Sequence, residues 1–214
     1  NNIDDVNTTS LLKWRYATKQ FDPSKIIPSD KLQIIKEAFN LTATSYGLQP
    51  IKLLIVRTKE IKEQLKVAAF NQSQLTDASD VLVFCIDTAI DASYVEDYFK
   101  LVKEKRSTPD EILKPYQEFL TNHFNTITQD EKLNWATKQA YLAMGNLLTV
   151  CAIEQIDACP MEGFSPEKTD EILELDKQNL KSVLLMPIGY RSEDDFMASL
   201  KKVRKPLEDM VLTK

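Results

Sequence analysis

The chain has 214 residues, of which 43% are hydrophobic and 28% charged, and its formal net charge is −5 at pH 7. This composition is typical of a globular protein and excludes a disordered chain, and the length predicts a single domain over residues 1–214. The acidic balance disfavours nucleic acid and anionic membrane surfaces as partners. The N-terminus is polar and the apolar runs are too short to span a bilayer, so we expect no signal peptide and a cytoplasmic protein.

Hydrophobic periodicity, capping residues and breakers divide the chain into alternating helices and strands. The first helix has Thr8, Thr9 or Ser10 as its predicted cap. The predicted elements, in chain order, are a helix ending near Tyr16, a helix beginning at Ser29 or Asp30, a strand over 53–57, a helix over 59–69, a strand over 80–87, helices over 91–106 and 109–124, a helix over 131–155, a short helix over 166–176 and a strand over 182–190.

Two of these segments and the C-terminal tail carry information about burial and assembly. The run "DVLVFCID", 80–87, is continuously apolar, which indicates a strand covered on both faces. The helix over 131–155 is apolar on nearly every side after Trp135, and a chain of this size is expected to bury such a helix against a second subunit. The charged tail 191–214 carries isolated apolar residues and is predicted to be an arm that lies on another surface.

Several kinds of site are missing from the sequence. His123 is the only histidine, which argues against a histidine-based zinc site and against a catalytic triad. The three cysteines include no CxxC pair, and we expect buried free thiols in a reducing compartment. The four glycines form neither GxGxxG nor GxxxxGK[ST], so a glycine-loop nucleotide site is excluded and side chains must hold any bound phosphate.

Two basic clusters could provide those side chains. Arg15 and Lys19 lie in the aromatic-rich stretch "WRYATKQFD", and "KKVRK" occupies 201–205. Basic clusters are usually solvated surface charge, but both could also meet on one anion, since arginine binds phosphate bidentately and lysine acts as a point charge. The loops 42–50 and 160–164 could supply further hydrogen-bond donors, with Gly47 allowing close approach and Gly163 adopting a positive φ; an ordinary turn is the alternative for each.

Five motifs in register give a family resemblance. "RYATKQFD", "TATSYGLQPIKLLIV", "DASDVLVFC", "PMEGF" and "KKVRKP" occur in this order between about residues 10 and 206. Together they resemble the FMN-dependent nitroreductase family, in particular its oxygen-insensitive NAD(P)H nitroreductase and dihydropteridine reductase branch. The resemblance implies an α+β, three-layer sandwich in which helices flank a central, mostly antiparallel sheet. It also implies an intertwined homodimer with FMN at the interface and a C-terminal arm, about 191–214, that packs on the partner.

The resemblance further assigns roles to individual residues. Arg15, Lys202 and Arg204 match the residues that hold the FMN phosphate, and Lys19 matches the lysine near the N1–C2=O edge of the flavin, where a cation stabilises the reduced ring. Asn71 matches a ligand of the pyrimidine edge, and the 160–163 loop matches the one that covers a flavin face and donates an N–H to N5. The implied cofactor-binding residues are Arg15, Tyr16, Ala17, Lys19, Ala43, Thr44, Ser45, Gly47, Asn71, Gln74, Pro160, Met161, Glu162, Gly163, Lys202 and Arg204, those at 43–47 reaching the flavin of the other subunit.

Three positions depart from the family pattern. Ala17 replaces a usual serine and Gln74 replaces a lysine of the better-known members, so one hydroxyl donor and one charge near the flavin are missing. Ile51 replaces a usual aromatic residue. The departures at Ala17 and Gln74 predict a flavin potential that differs from those of the well-known relatives.

The implied function is reduction of nitroaromatics, quinones or pteridines by NADH or NADPH, through ping-pong hydride transfer at the flavin. No side chain need act as nucleophile or base, because the flavin supplies the chemistry. Phe119 or Phe124 could shape the acceptor channel, although the alternative of a core aromatic residue is favoured for each. The alternatives are a non-redox helical dimer that binds an acidic ligand, and an FMN enzyme of the same fold that catalyses dehalogenation or flavin destruction.

Overall fold

The computed structural model describes residues 7–214. Its first helix, α1, spans Thr8–Trp14, and the side chain of Asn7 caps it by accepting a hydrogen bond from Ser10 N at 3.0 Å. The prediction of Thr8, Thr9 or Ser10 as the cap was therefore wrong by one residue or more. The helix also ends earlier than predicted, because Arg15 adopts an extended conformation with ψ of 142°. Arg15 and Lys19 consequently both lie beyond the end of this helix.

A four-stranded antiparallel sheet forms the centre of the structure. Its strands, in the spatial order β1-β2-β4-β3, are β1 (Ile51–Val56), β2 (Asp80–Asp87), β4 (Leu180–Gly189) and β3 (Asp157–Ala158). The three longer strands confirm the predicted ones with small shifts of their ends. Strand β3 was not predicted, since two residues give no periodic pattern.

Helices cover both faces of this sheet. Leu82, Phe84 and Ile86 of β2 pack into the hydrophobic cluster that includes the longest helix, whereas Val81, Val83 and Cys85 pack into a second cluster. This alternation follows from the two-residue period of a strand, and it confirms both the doubly covered strand and the three-layer α+β architecture. The remaining helices are α2 (Ser29–Asn40), α3 (Lys59–Ala68), α4 (Gln74–Asp77), α5 (Ala92–Arg106), α6 (Asp110–Thr126), α7 (Gln129–Ile153), α8 (Pro166–Ile172) and α9 (Leu207–Met210).

The helix predicted over 166–176 is shorter in the structure. It ends at Ile172, and Glu174 adopts a left-handed conformation with φ of 51° before a short 3-10 turn over Leu175–Gln178. A left-handed residue cannot continue an α-helix, so the segment bends back towards β4. No sequence signal such as glycine or proline marks this break.

Helix α7 begins with a capping box formed by Thr128 and Glu131 and buries one face against the sheet. The opposite face is uncovered within the chain: Leu142 is 55% exposed, and a Cβ added to Gly145 would meet no atom within 4 Å. The helix was predicted to be buried on every side, and the single chain buries only one.

The C-terminal arm leaves the sheet after β4. A 3-10 turn spans Phe196–Ser199, and every residue of 200–214 is exposed. The exposed residues include Val203 at 84% and Leu212 at 80%. Among the helices of residues 7–214, none combines the length and the apolar character that crossing a membrane would require.

Candidate functional site

Arg191, at the start of the C-terminal arm, fixes the segment that follows α1. Its guanidinium carbon lies 4.3 Å from the ring centroid of Trp14 and 4.6 Å from that of Tyr16. Its Nε atom and its main-chain N–H both donate to the Asp157 carboxylate at 2.8 Å. Cation–π contacts and a buried ion pair thus join α1, β3 and the arm at one point. Sequence reasoning did not identify Arg191 or Asp157, because their partners are distant along the chain.

Asp195 makes a second connection between the same two parts of the chain. Its Oδ2 atom accepts hydrogen bonds from the Tyr16 hydroxyl at 2.9 Å, from Lys19 N at 2.9 Å and from Gln20 N at 3.2 Å. Its Oδ1 atom accepts from Met197 N at 3.2 Å, and the residue is 3% exposed. Burial acts to raise the pKa of Asp195, but these hydrogen bonds lower it on balance. The side chain is therefore an anion held by the predicted cofactor-binding segment.

These connections bring cations from both ends of the chain together. The Lys202 ammonium donates a hydrogen bond to the main-chain oxygen of Arg15. Burial lowers the pKa of Arg15, and the nearby Arg204 guanidinium lowers it further. The pKa of Lys202 is lowered first by burial and then by the charges of Arg15 and Arg204. Within residues 7–214 no carboxylate forms an ion pair with any of the three. Three cations that destabilise one another without an acid are well suited to a multiply charged anion.

Lys19 lies beside the cysteine that precedes the 160–163 loop. The backbone of Ala17 bridges to Ala158 of β3, and Thr18 N donates to Ala158 O at 3.3 Å. The Lys19 ammonium lies 3.8 Å from the Cys159 sulfur. Burial raises the pKa of the Cys159 thiol, although Lys19 opposes that shift. The first basic motif and the 160–163 loop are thus neighbours in space.

Residues 160–163 form a supported loop. Met161 is buried and pairs with Leu185 through two main-chain hydrogen bonds, and Pro160 is partly exposed beside it. The Glu162 carboxylate accepts from the Tyr141 hydroxyl at 2.6 Å, and Gly163 O accepts from Gln72 Nε2 at 2.8 Å. Within the described part of the chain the N–H groups of Glu162 and Gly163 donate no hydrogen bond, which leaves them available to a ligand.

The expectation of a positive φ at Gly163 was wrong, since Gly47 is the one glycine of residues 7–214 in that region, with φ of +73°. A Cβ at Gly47 would lie 2.8 Å from the Tyr98 hydroxyl, so this glycine is required by its conformation and by a close neighbour. At Gly163 a Cβ would lie 3.7 Å from Gln72 Nε2, an ordinary contact.

The 43–47 loop packs on the far part of α7. Ser45 N donates to Gln139 Oε1 at 2.9 Å, and Thr44 Oγ1 accepts from Gln49 N at 3.1 Å, while Ala43 is exposed. Arg15, in contrast, is close enough to Cys151 for that thiol to influence its pKa. Gln139 and Cys151 are twelve residues apart on α7, or about 18 Å along the helix axis. The structure therefore does not bring the 43–47 loop to the cation cluster of the same chain.

Asn71 and Gln74 flank a residue that contacts the 160–163 loop. Asn71 follows α3 in a left-handed conformation, with φ of 60°, and its side chain is exposed. Gln74 is 7% exposed on α4. Because Gln72 donates to Gly163 O, the 71–74 segment is held next to the loop.

Phe119 and Phe124 differ sharply in environment. Phe124 is fully buried in the core and packs edge-on against Tyr46, which fits the alternative of a core aromatic residue. Phe119 is 54% exposed and stacks between Tyr116 and His123 on α6. Of the two rings, that of Phe119 is therefore the one accessible at the surface of the single chain.

Comparisons with known proteins identify the family of this chain. The model of the nitroreductase family matches residues 12–190. The oxygen-insensitive NAD(P)H nitroreductase of Salmonella typhimurium is 32% identical over 216 residues, which cover 95% of this chain and 97% of that protein. The Bacillus subtilis protein YfkO is 34% identical over 220 residues, covering 97% of this chain and 98% of YfkO.

A solved structure shares the fold. An Exiguobacterium sibiricum protein in complex with FMN superposes with a TM-score of 0.84 at 22% identity, covering 97% of each chain. No group of three or more His, Cys, Asp or Glu side chains in residues 7–214 is arranged as a possible metal site. By its sequence, its fold and the match over residues 12–190, the chain belongs to the nitroreductase family.

Proposed function

We propose that this protein is an FMN-dependent NAD(P)H oxidoreductase that reduces nitroaromatics, quinones or pteridines by ping-pong hydride transfer. The observation that carries the proposal is the convergence of Arg15, Lys202 and Arg204 without a neutralising carboxylate among residues 7–214. A phosphate monoester would relieve the repulsion among these cations and accept charge-assisted hydrogen bonds from them. Relatives named as NAD(P)H nitroreductases and a structural neighbour in complex with FMN support the same cofactor and donor.

The residues around the cation cluster fit the rest of the flavin. Lys19 would place its ammonium at the edge of the ring where reduction adds negative charge. The free N–H groups of Glu162 and Gly163 would donate to acceptor atoms of the ring, and Met161 holds their loop on β4. Bound FMN would supply the hydride-transfer chemistry between NAD(P)H and the acceptor. The chain's own contribution is to bind, orient and polarise the cofactor.

The nucleophilic side chains of the described region are poorly placed to take over the chemistry. Cys85 and Cys151 are buried, and burial raises the pKa of each thiol to about 12. Such thiols are not reactive thiolates near neutral pH. His123 lies in an aromatic stack on α6 between Phe119 and Phe124. Buried unpaired cysteines also fit a reducing compartment, and we place the protein in the cytoplasm.

The site requires two copies of the chain. We propose a homodimer in which the uncovered face of α7, marked by Leu142 and Gly145, meets its counterpart. The arm 200–214 would then cover its apolar residues on the partner subunit. The 43–47 loop, which lies far from the cation cluster of its own chain, would reach the flavin bound mainly by the other copy. This arrangement would explain why the apolar surface of α7 and of the arm is exposed in a single chain.

An anaerobic titration tests the redox function. Purified protein loaded with FMN should lose its flavin absorbance on addition of NADH or NADPH and regain it when a nitroaromatic, quinone or pteridine is added. Failure of both nicotinamides to bleach a protein that binds FMN would contradict the oxidoreductase assignment. Bleaching without reoxidation by any of these acceptors would instead indicate another reaction of the same fold, such as dehalogenation.

A further inference from the structure

Asp195, together with Arg191, attaches the C-terminal arm to the first basic motif. It contacts no cation of the cluster through its side chain. Instead, one of its carboxylate oxygens accepts hydrogen bonds from the Tyr16 hydroxyl and from the main-chain N–H groups of Lys19 and Gln20. Three donors on one buried oxygen fix the direction of the main chain on both sides of Lys19.

The other oxygen of Asp195 orders the arm. It accepts from Met197 N and so begins the 3-10 turn Phe196–Ser199. Lys202 follows Asp195 by only seven residues, a span of at most about 25 Å when fully extended. Anchoring Asp195 therefore confines Lys202 and Arg204 to a small volume around Arg15 and raises their effective concentration there. Without this anchor, Arg191 would still hold the start of the arm, but the ligand would have to order more of the exposed residues that follow it.

We propose that Asp195 is a positioning residue for cofactor binding, which acts through Lys19 and through the arm that carries Lys202 and Arg204. This inference rests on the proposed function, since it assumes that the positioned cations bind FMN. A cation assembly held in place before binding costs the ligand less ordering entropy. The expected consequence of losing Asp195 is weaker binding of the phosphate in particular, rather than a general loss of the fold.

The test compares FMN with riboflavin, which has the same ring system and no phosphate. Affinities of the apo-protein for both flavins are measured by quenching of flavin fluorescence, for the unchanged protein and for Asp195→Asn. Asparagine keeps the size of the side chain but removes its charge and replaces one acceptor oxygen by an NH2 group. The FMN-over-riboflavin preference should fall by about 10-fold or more in Asp195→Asn, the range for a hydrogen bond to a buried charge.

Asp80→Asn is the matched control. Asp80 is also fully buried, and it accepts hydrogen bonds from Arg57 and Ser79, neither of which is a predicted flavin ligand. Both variants should lose stability, but Asp80→Asn should keep the flavin preference within about twofold of the unchanged protein. An unchanged preference in Asp195→Asn, or an equal loss in both variants, would overturn the inference.

A milder variant keeps the test decisive if Asp195→Asn does not fold. Tyr16→Phe removes one of the three hydrogen bonds to Oδ2 and should reduce the preference by about threefold, and no reduction would overturn the inference. A different outcome would contradict the proposed function itself, namely that the unchanged protein does not bind FMN at all. Normal FMN binding by the unchanged protein and by both Asp195→Asn and Tyr16→Phe would contradict the positioning role alone.

Discussion

Lys202 donates a hydrogen bond from its ammonium group to the main-chain oxygen of Arg15, and so connects two residues that are 187 positions apart. The contact places a cation of the arm beside a cation of the first basic motif. It is possible because Arg191 and Asp195 hold the beginning of the arm on the segment after α1. An acidic chain thereby gathers positive charge at one point, where we propose that the FMN phosphate binds.

Truncation should destabilise the protein much more at Phe124 than at Phe119. Phe124→Ala removes a fully buried ring and should lower the free energy of unfolding by about 3–5 kcal/mol. Phe119→Ala removes a half-exposed ring that stacks on Tyr116 and His123, and should cost about 1 kcal/mol or less. Urea unfolding measures both values. Equal destabilisation by the two variants would contradict the assignment of Phe124 to the core and Phe119 to the surface.

The three cysteines should be protected in the native protein. Cys85, Cys151 and Cys159 are buried, and burial raises the pKa of each thiol, so the reactive thiolate is scarce at neutral pH. A chromogenic disulfide reagent should therefore react slowly before unfolding and with all three thiols in urea. Rapid reaction of one thiol in the folded state would show that this cysteine is more exposed than the structure indicates. Cys159, which lies beside Lys19, would be the first to examine.

Leu142→Glu should weaken the dimer. Leu142 is 55% exposed on the uncovered face of α7, and a carboxylate there would be desolvated in a subunit interface. Light scattering after size exclusion should shift from a dimer for the unchanged protein to a monomer for the variant. Val67→Glu, on α3 and 63% exposed, makes the same chemical change elsewhere and should remain dimeric. A dimeric Leu142→Glu protein would contradict the assignment of this face to the interface.

The pH dependence of stability should contain a contribution from Asp195. Its pKa in the folded protein lies below the ordinary value of 3.8, because hydrogen bonds outweigh the opposing effect of burial. A depressed pKa contributes stability that is full above the unfolded-state pKa of about 3.9 and is lost as pH falls towards the folded-state value. Urea midpoints measured between about pH 6 and 3 should thus fall less steeply for Asp195→Asn than for the unchanged protein. Asp97→Asn, which changes a surface carboxylate of α5, serves as the control. An identical pH dependence of the urea midpoint for Asp195→Asn and the unchanged protein would contradict the lowered pKa of Asp195.

The sequence predicts the fold where the signal is local. The apolar run of β2 and the long periodic segment of α7 each contain their own pattern, and both are found close to the predicted positions. Strand β3 has two residues and depends on β4 for its definition, so no window on the sequence could identify it. The break at Glu174 depends on a left-handed residue that no glycine marks.

In the candidate site too, residues with a local sequence signal are predictable and residues defined by distant partners are not. The two basic clusters that contain Arg15, Lys202 and Arg204 stand out in an acidic chain, but only the family resemblance singled out these three residues within them. Arg191 and Asp195 are not, since their function depends on partners up to 179 positions away and their residue types are common on surfaces. Phe124 illustrates the remaining difficulty, because a core aromatic and a channel aromatic have the same sequence signature and only burial separates them.

The most direct test of the central claim is the affinity of the apo-protein for FMN before and after Lys202→Ala and Arg204→Ala. Each charge-assisted contact contributes about 1.5–3 kcal/mol, so each variant should bind FMN about 10–100-fold more weakly, at 1.4 kcal/mol per decade. Riboflavin affinity should change little, and Lys201→Ala, which removes an equal charge from the same arm, should leave FMN binding nearly unchanged. FMN affinity that stays constant in both variants would contradict the claim that cations from the two ends of the chain hold the phosphate.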